Sequence, residues 1–116
     1  MFRFEELDIW KRSAVFSGRI AELSEKLPSR ERFVIVDQLM RASLSTPTNI
    51  AEGCGRASNR EFHRFLDIAR GSVYESASLV MMCHDRWYVS DAERTELAGE
   101  AEAIAKMIST FMRSLR

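Results

Sequence analysis

Apolar residues return every three or four positions along four long stretches of this chain, and that rhythm limits its fold more than any other feature. The clearest stretch runs through Phe62, Leu66, Ala69, Val73, Ser76, Val80, Cys83 and Trp87, alternating steps of 4 and 3 residues. Val36, Met40, Ser43, Pro47, Ile50 and Cys54 keep the same rhythm, as do Leu97, Ala101, Ile104, Ile108, Phe111 and Leu115. A fourth stretch, from about Leu7 to Lys26, carries Ile9, Phe16, Ile20 and Leu23 with Trp10, Ala14 and Ala21 alongside. Steps of 4 and 3 place side chains on one stripe of an α-helix that packs at a shallow angle against neighbours. The period-two alternation of strands is missing.

Local signals set the ends of these helices. The first stops before Leu27-Pro28, because a residue preceding proline is pushed out of the α region. Ser29 is a fitting N-cap for the second, which runs to about Gly53. Ser58 with Glu61, and Ser90 with Glu93, have the spacing of capping boxes at the starts of the third and fourth. Short connections force successive helices to be antiparallel neighbours. The expected fold is therefore all-α, an up-down-up-down four-helix bundle, with residues 1–116 as a single domain. Pro47 is the one local violation, since inside a helix it removes a donor and collides with the carbonyl of Ser43. Either the second helix kinks there or it is two helices; the seam stays in phase beyond the proline, which favours the kink.

Composition narrows the functional classes. Lys plus Arg equals Asp plus Glu at 17 each, so no global field draws the protein to nucleic acid or anionic membrane. The unevenness is mild: seven arginines against five acids from Arg30 to Arg70, and five acids against four bases from Asp91 to Arg116. Two cysteines are too few for a disulfide framework. No apolar run approaches the ~20 residues of a membrane span. With charge in the opening MFRFEELDIW where a signal peptide is apolar, the expectation is a cytoplasmic protein.

Catalytic constellations are missing. A di-iron bundle needs Glu-x-x-His pairs on facing helices, and neither His63 nor His84 has Glu three residues before it. Cys54 and Cys83 fall on apolar seams and read as core. With no nucleophile elbow, phosphate loop or dinucleotide fingerprint, the expectation is no catalytic residue, no metal, no cofactor and no small-molecule substrate.

Two polar features remain. Arg56, Arg60 and Arg64, spaced by four, form a basic ridge at the start of the third helix. Such a ridge grips phosphates, or is solvated with its arginines paired to Glu61 or Asp67. Arg41, Ser45, Asn49, Glu52 and Arg56 share one face of the second helix, where polar groups pair across helices or subunits. Apolar residues beside the main seams (Ile9, Val15, Ile35, Leu39, Leu44, Phe65, Ile68, Leu79 and Met82) exceed what a lone bundle hides. They point to a partner surface, with self-association the economical reading.

The segment from Gln38 to Arg56 resembles a known family. The pattern Q..RA..S...NIAEG..R is matched at Gln38, Arg41, Ala42, Ser45, Asn49, Ile50, Ala51, Glu52, Gly53 and Arg56. A second block, Phe62, Phe65-Leu66, Ala69, Gly71-Ser72 and Glu75, is similar to that family's F..FL..A.GS..E, and Phe4 to Trp10 also fits. The family is that of the small bacterial four-helix bundle proteins, some encoded within intervening sequences of large-subunit ribosomal RNA genes. The resemblance implies an antiparallel bundle that associates into a ring-like homopentamer. It gives Arg41, Ser45, Asn49, Glu52 and Glu75 the role of a polar framework for the assembly. A related branch, the accessory proteins of diversity-generating retroelements, binds a reverse transcriptase and nucleic acid through a basic surface. This chain departs from that branch in its formal charge of zero.

The expected function is accordingly a non-catalytic oligomeric scaffold whose partner is a protein, such as a reverse transcriptase, or RNA. The alternative is a nucleic-acid-binding protein that repeats the Arg56, Arg60 and Arg64 ridge around the oligomer.

Overall fold

A computed structural model describes residues 1–115; Arg116, the last residue of the expected domain, lies outside the described residues. Each periodic stretch is one α-helix: α1 Asp8–Glu25, α2 Asp37–Cys54, α3 Asn59–Asp85 and α4 Asp91–Ser114. The described residues contain no strand. A 3₁₀ turn at Arg3–Glu6 leads into α1, and α2 is entered through a 3₁₀ turn, Ser29–Glu31, and a π turn, Arg32–Val36.

Contacts run α1 to α2, α2 to α3, α3 to α4 and back from α4 to α1, which closes the antiparallel ring of an up-down-up-down bundle. Its extents of 44 × 23 × 22 Å are one long helix by two helix diameters. The N-terminal turn, the α2–α3 turn and the end of α4 meet at one end, where Arg3 lies over the Phe62 ring and Phe62 packs on Phe111. At the other end Glu31 accepts a hydrogen bond from the Tyr88 hydroxyl (2.7 Å) and stands 3.8 Å from Arg86, joining the other two connections. Between them lies one continuous core, with Phe16, Ile20, Leu39, Ile50, Leu66, Ile104 and Ile108 fully buried.

α2 differs from its expected seam by one residue. Its deepest line is Ile35, Leu39, Ala42, Thr46, Ile50 and Gly53, whereas Val36, Met40 and Cys54 are only partly covered. The helix packs against both α1 and α3, so its buried stripe is two residues wide, and the expected seam traced one edge of it. The helix runs through Pro47 without ending there, as the single-helix reading had it; a proline in that position bends the axis.

One corner of the bundle depends on having no side chain. A Cβ at Gly53 would sit 2.7 Å from the Phe65 Cβ and 2.9 Å from the Phe62 ring, so α2 and α3 approach closely there only because of the glycine. The opposite edge is held by charge. Arg12 grips Glu100 with two hydrogen bonds (3.1 and 2.6 Å), Arg19 meets Glu96 at 2.6 Å, and Lys26 meets Glu93 at 3.0 Å. Arg12 and Arg19 stand on α1 and Lys26 at its C-cap, seven residues apart in turn, and all three anions stand on α4, a ladder whose order requires antiparallel helices. The Glu100 pairing raises the Arg12 pKa.

Capping follows the expected spacing at α4, where the Ser90 hydroxyl accepts from the Glu93 amide and the Glu93 carboxylate accepts from the Ser90 amide. That backbone bond, with Lys26, holds the Glu93 carboxyl below the usual range. At α3 only half the box forms: Ser58 caps the Glu61 amide, while the Glu61 side chain turns to Arg64.

The far end of α3 corrects the sequence reading at Trp87, which belongs to no seam: it is 93% exposed. The Tyr88 amide donates to the Cys83 carbonyl and the Trp87 amide to the His84 carbonyl (both 3.0 Å), the two bonds of a Schellman cap. Trp87 occupies the left-handed position of that cap at φ 67°, where glycine is the usual residue.

Two substitutions test this geometry in denaturant or thermal unfolding. Gly53→Ala should destabilise the fold by about 1–3 kcal/mol, because Phe65 meets the new methyl at its Cβ and α3 must shift bodily. Trp87→Gly should stabilise it by about 1 kcal/mol by relieving the left-handed strain; a loss of stability would show that the indole is anchored.

Candidate interaction surface

The polar face foreseen on α2 divides into separate contacts. Arg41 turns outward to Asp37 (3.0 Å, one turn back) and joins nothing on α3. Asn49 donates from one amide nitrogen to both the carbonyl and the hydroxyl of Ser45 (2.8 and 2.9 Å). The Ser45 hydroxyl in turn accepts from Ser72 on α3 (2.8 Å), so Ser45, Asn49 and Ser72 form a small bridge between the two helices. About two turns earlier on α2, the Gln38 amide donates to the Glu75 carboxylate across the same seam (3.1 Å). Glu52 lies elsewhere: its carboxylate has no hydrogen bond or ion pair among the described residues, and it borders a groove between α1 and α2.

Arg56 and Arg64 do converge, but on a ring. Each guanidinium lies 4.7 Å from the centroid of Phe65, which is itself buried. Cation–π contact and the coverage of apolar surface by arginine stems both favour this arrangement. Arg64 also pairs with Glu61 at 3.3 Å. That hydrogen bond, aided by the charges of Arg64, Arg56 and Arg60, holds the Glu61 carboxyl below the usual range. Arg60 is exposed.

The surplus apolar residues separate into two groups. Ile9, Ile35, Leu39, Phe65 and Leu79 are buried in the bundle, because each helix faces two neighbours and hides a wider stripe than one seam. Val15, Leu44, Ile68 and Met82 remain 42–66% exposed, and Tyr74 on α3 joins them.

Leu44, Tyr74 and Met82 lie at two grooves, whereas Val15 and Ile68 line neither. One, of ≈ 400 Å³, lies between α1 and α2 and is lined by Phe4, Trp10, Leu44, Pro47 and Glu52 among others. The second, of ≈ 930 Å³, lies between α3 and α4 and includes Tyr74, Met81, Met82, Ala98 and Ala101. In the cyclic order of the helices these two edges are opposite each other. The α2–α3 edge is closed by the Ser45–Ser72 and Gln38–Glu75 contacts, and the α4–α1 edge by the three-rung charge ladder. Sequence reasoning missed both grooves and the ladder. The ladder had a legible signal in the seven-residue spacing of Arg12, Arg19 and Lys26 against Glu93, Glu96 and Glu100.

Chemistry has little to build on here. Cys83 is buried, and burial pushes its thiol up, away from the reactive thiolate. Among the described residues no group of three or more His, Cys, Asp and Glu side chains is placed to hold a metal. No helix among them is long and apolar enough to cross a membrane.

Comparison with known proteins places these features in context. A family model described as 23S rRNA-intervening sequence protein matches residues 5–110. Among solved structures the chain is similar to a Bacteroides thetaiotaomicron protein of unknown function from the S23 ribosomal protein family. The TM-score is 0.83 at 22% identity, over 90% of this chain and 97% of that one, a likeness of fold. No curated protein matches.

The division of the polar face predicts unequal effects of two alanine substitutions. Asn49→Ala should cost about 1 kcal/mol or somewhat more in urea unfolding by removing the Ser45 bridge. Glu52→Ala should leave monomer stability within about 0.5 kcal/mol; an equal loss for both would restore the single network.

Proposed function

The chain belongs to the 23S rRNA-intervening sequence protein family, and from that membership we propose that it is a non-catalytic scaffold that assembles with copies of itself, as a pentamer, and binds a protein or RNA partner. The observation that carries the proposal is the pair of apolar grooves on opposite edges of the bundle. A groove lined by Leu44 and Pro47 on one side, and one lined by Tyr74 and Met82 on the other, give each copy two different faces. Contacts between unlike faces propagate head to tail and close into a ring when the rotation between copies allows. The remaining edges have already spent their polar groups within the bundle.

The scaffold reading also accounts for the chemistry. Cys83 is buried, and His84 meets only the carboxylates of Asp91 (2.5 Å) and Asp85 (3.8 Å). The α3–α4 groove combines its apolar side chains with charges of both signs, Glu102 and Lys106 among them, in no acid–base–nucleophile arrangement. The competing nucleic-acid reading of Arg56, Arg60 and Arg64 has weaker support, because the Glu61 carboxylate stands within the ridge and pairs with Arg64, and the Phe65 ring beneath it is buried and offers no face to a base.

Light scattering on the purified protein should return about five times the 13.3 kDa chain mass. Leu44→Asp should lower that mass while helical content is kept, since Leu44 is 50% exposed in the single chain. A monomer of the unaltered protein at micromolar concentration would overturn the proposal.

A further inference from the structure

The end of the bundle remote from the arginine ridge carries costs that packing does not explain. Trp87 stands 93% exposed on a left-handed backbone, and Phe33 stands 82% exposed in the π turn that enters α2. Left-handed non-glycine residues and π turns are both unfavourable locally and gather at functional sites. Stability alone would put glycine at the first position and a polar residue at the second. Both aromatics instead turn flat rings to solvent at the end where the α1–α2 and α3–α4 connections meet.

Two arginines of the α1–α2 connection lie over rings at this end. Arg30 lies over the Tyr88 ring at 5.9 Å and Arg32 over the Phe33 ring at 5.2 Å. Arg30 also donates to the Tyr88 hydroxyl (3.2 Å), and neither guanidinium has a carboxylate partner among the described residues. The nearby acid, Glu31, is turned inward: its carboxylate takes the Tyr88 hydroxyl and faces Arg86. Exposed π faces beside guanidiniums that no carboxylate neutralises are what a flexible chain of bases and phosphates requires. The mixed charge of this end limits the alternatives. Asp85 and Asp91, with exposures of 80% and 96%, oppose any polyanion, so a narrow strand that leaves them in water fits this end better than a continuous anionic lipid surface that would cover them. A duplex keeps its bases stacked and offers these rings no face.

We propose that this end of the bundle binds single-stranded nucleic acid, with bases stacking on Trp87 and Phe33 and phosphates met by Arg30 and Arg32. The site is distinct from the assembly grooves and from the ridge at the opposite end. With so few phosphates met and two carboxylates nearby, binding is modest and salt-sensitive. The logarithm of affinity should fall against the logarithm of salt with a slope of about −1.4, two contacts on a single strand.

The chain has only two tryptophans, Trp10 and Trp87, so the site carries its own reporter. In a Trp10→Phe protein the emission comes from Trp87 alone. Titration with oligo(U) or oligo(dT) at low salt should quench it saturably, and a matched duplex should not. In gel shift against the same strands, Trp87→Gly should weaken binding at least tenfold while the melting temperature rises and the oligomeric mass is unchanged. Trp87→Phe should keep most of the affinity. Retained mass with lost binding separates this site from the assembly proposal, and a raised melting temperature excludes misfolding as the cause. No quenching at low salt would overturn the inference, as would equal quenching by duplex or undiminished binding by Trp87→Gly. An emission shift that follows protein concentration without added nucleic acid would overturn it in favour of a protein contact at this end.

Discussion

Everything in this structure depends on the width of the apolar stripe that each helix must hide. A stripe one residue wide is satisfied by one partner, as in a two-stranded coil. Here α2 buries Ile35, Leu39 and Ile50 together with Ser43 and Pro47, and such a helix needs neighbours on two sides. Four antiparallel helices joined by short turns close that requirement in the smallest ring. The hydrophobic contribution is general and non-directional. The order of the helices around the ring is sharpened by features with direction: the glycine corner between α2 and α3, and the charge ladder between α1 and α4.

Those two features also decide which surfaces are left over. Serine, asparagine and glutamine side chains close one edge, and three ion pairs close another. Each exposed ion pair contributes little to stability, between about 0 and 1 kcal/mol. Their larger effect is to specify which helices meet, because in all three pairs the cation comes from the α1 side and the anion from α4. The α1–α2 and α3–α4 edges, crossed by Ser17–Ser43 and Arg70–Ser109 contacts, still keep apolar side chains open, and these are the surfaces on which the proposed assembly rests.

Much of the fold was legible in the sequence because period, caps and short connections all agree. Helix ends at Ser58 and Ser90 were readable from side chains whose hydrogen bonds are local. The phase of α2 was less so, because a 4-and-3 reading follows one line and cannot see a helix with two neighbours; Ile35 and Leu39 were misplaced as surface for that reason. Trp87 was assigned to the seam by its spacing, but the helix ends two residues earlier, and a Schellman cap without glycine leaves no sequence signature. The candidate residues fared similarly. Sharing a helix face brought Ser45 and Asn49 together, yet Arg41 pairs within its own helix with Asp37 and Glu52 borders the α1–α2 groove. The ridge spacing of Arg56, Arg60 and Arg64 was real, but Phe65 beneath it was not recognisable as a platform until α3 was placed.

The arrangement of the chain's ends has a practical side. The turn before α1 and the last turn of α4 lie together, alongside the α2–α3 connection, while Trp87 and Phe33 crown the opposite end of a body 44 Å long. Anything attached at either end of the described chain, whether a label, a surface linker or a fused domain, hangs away from the aromatic end. Immobilised by such a tether, the bundle would stand with those rings facing outward into solution.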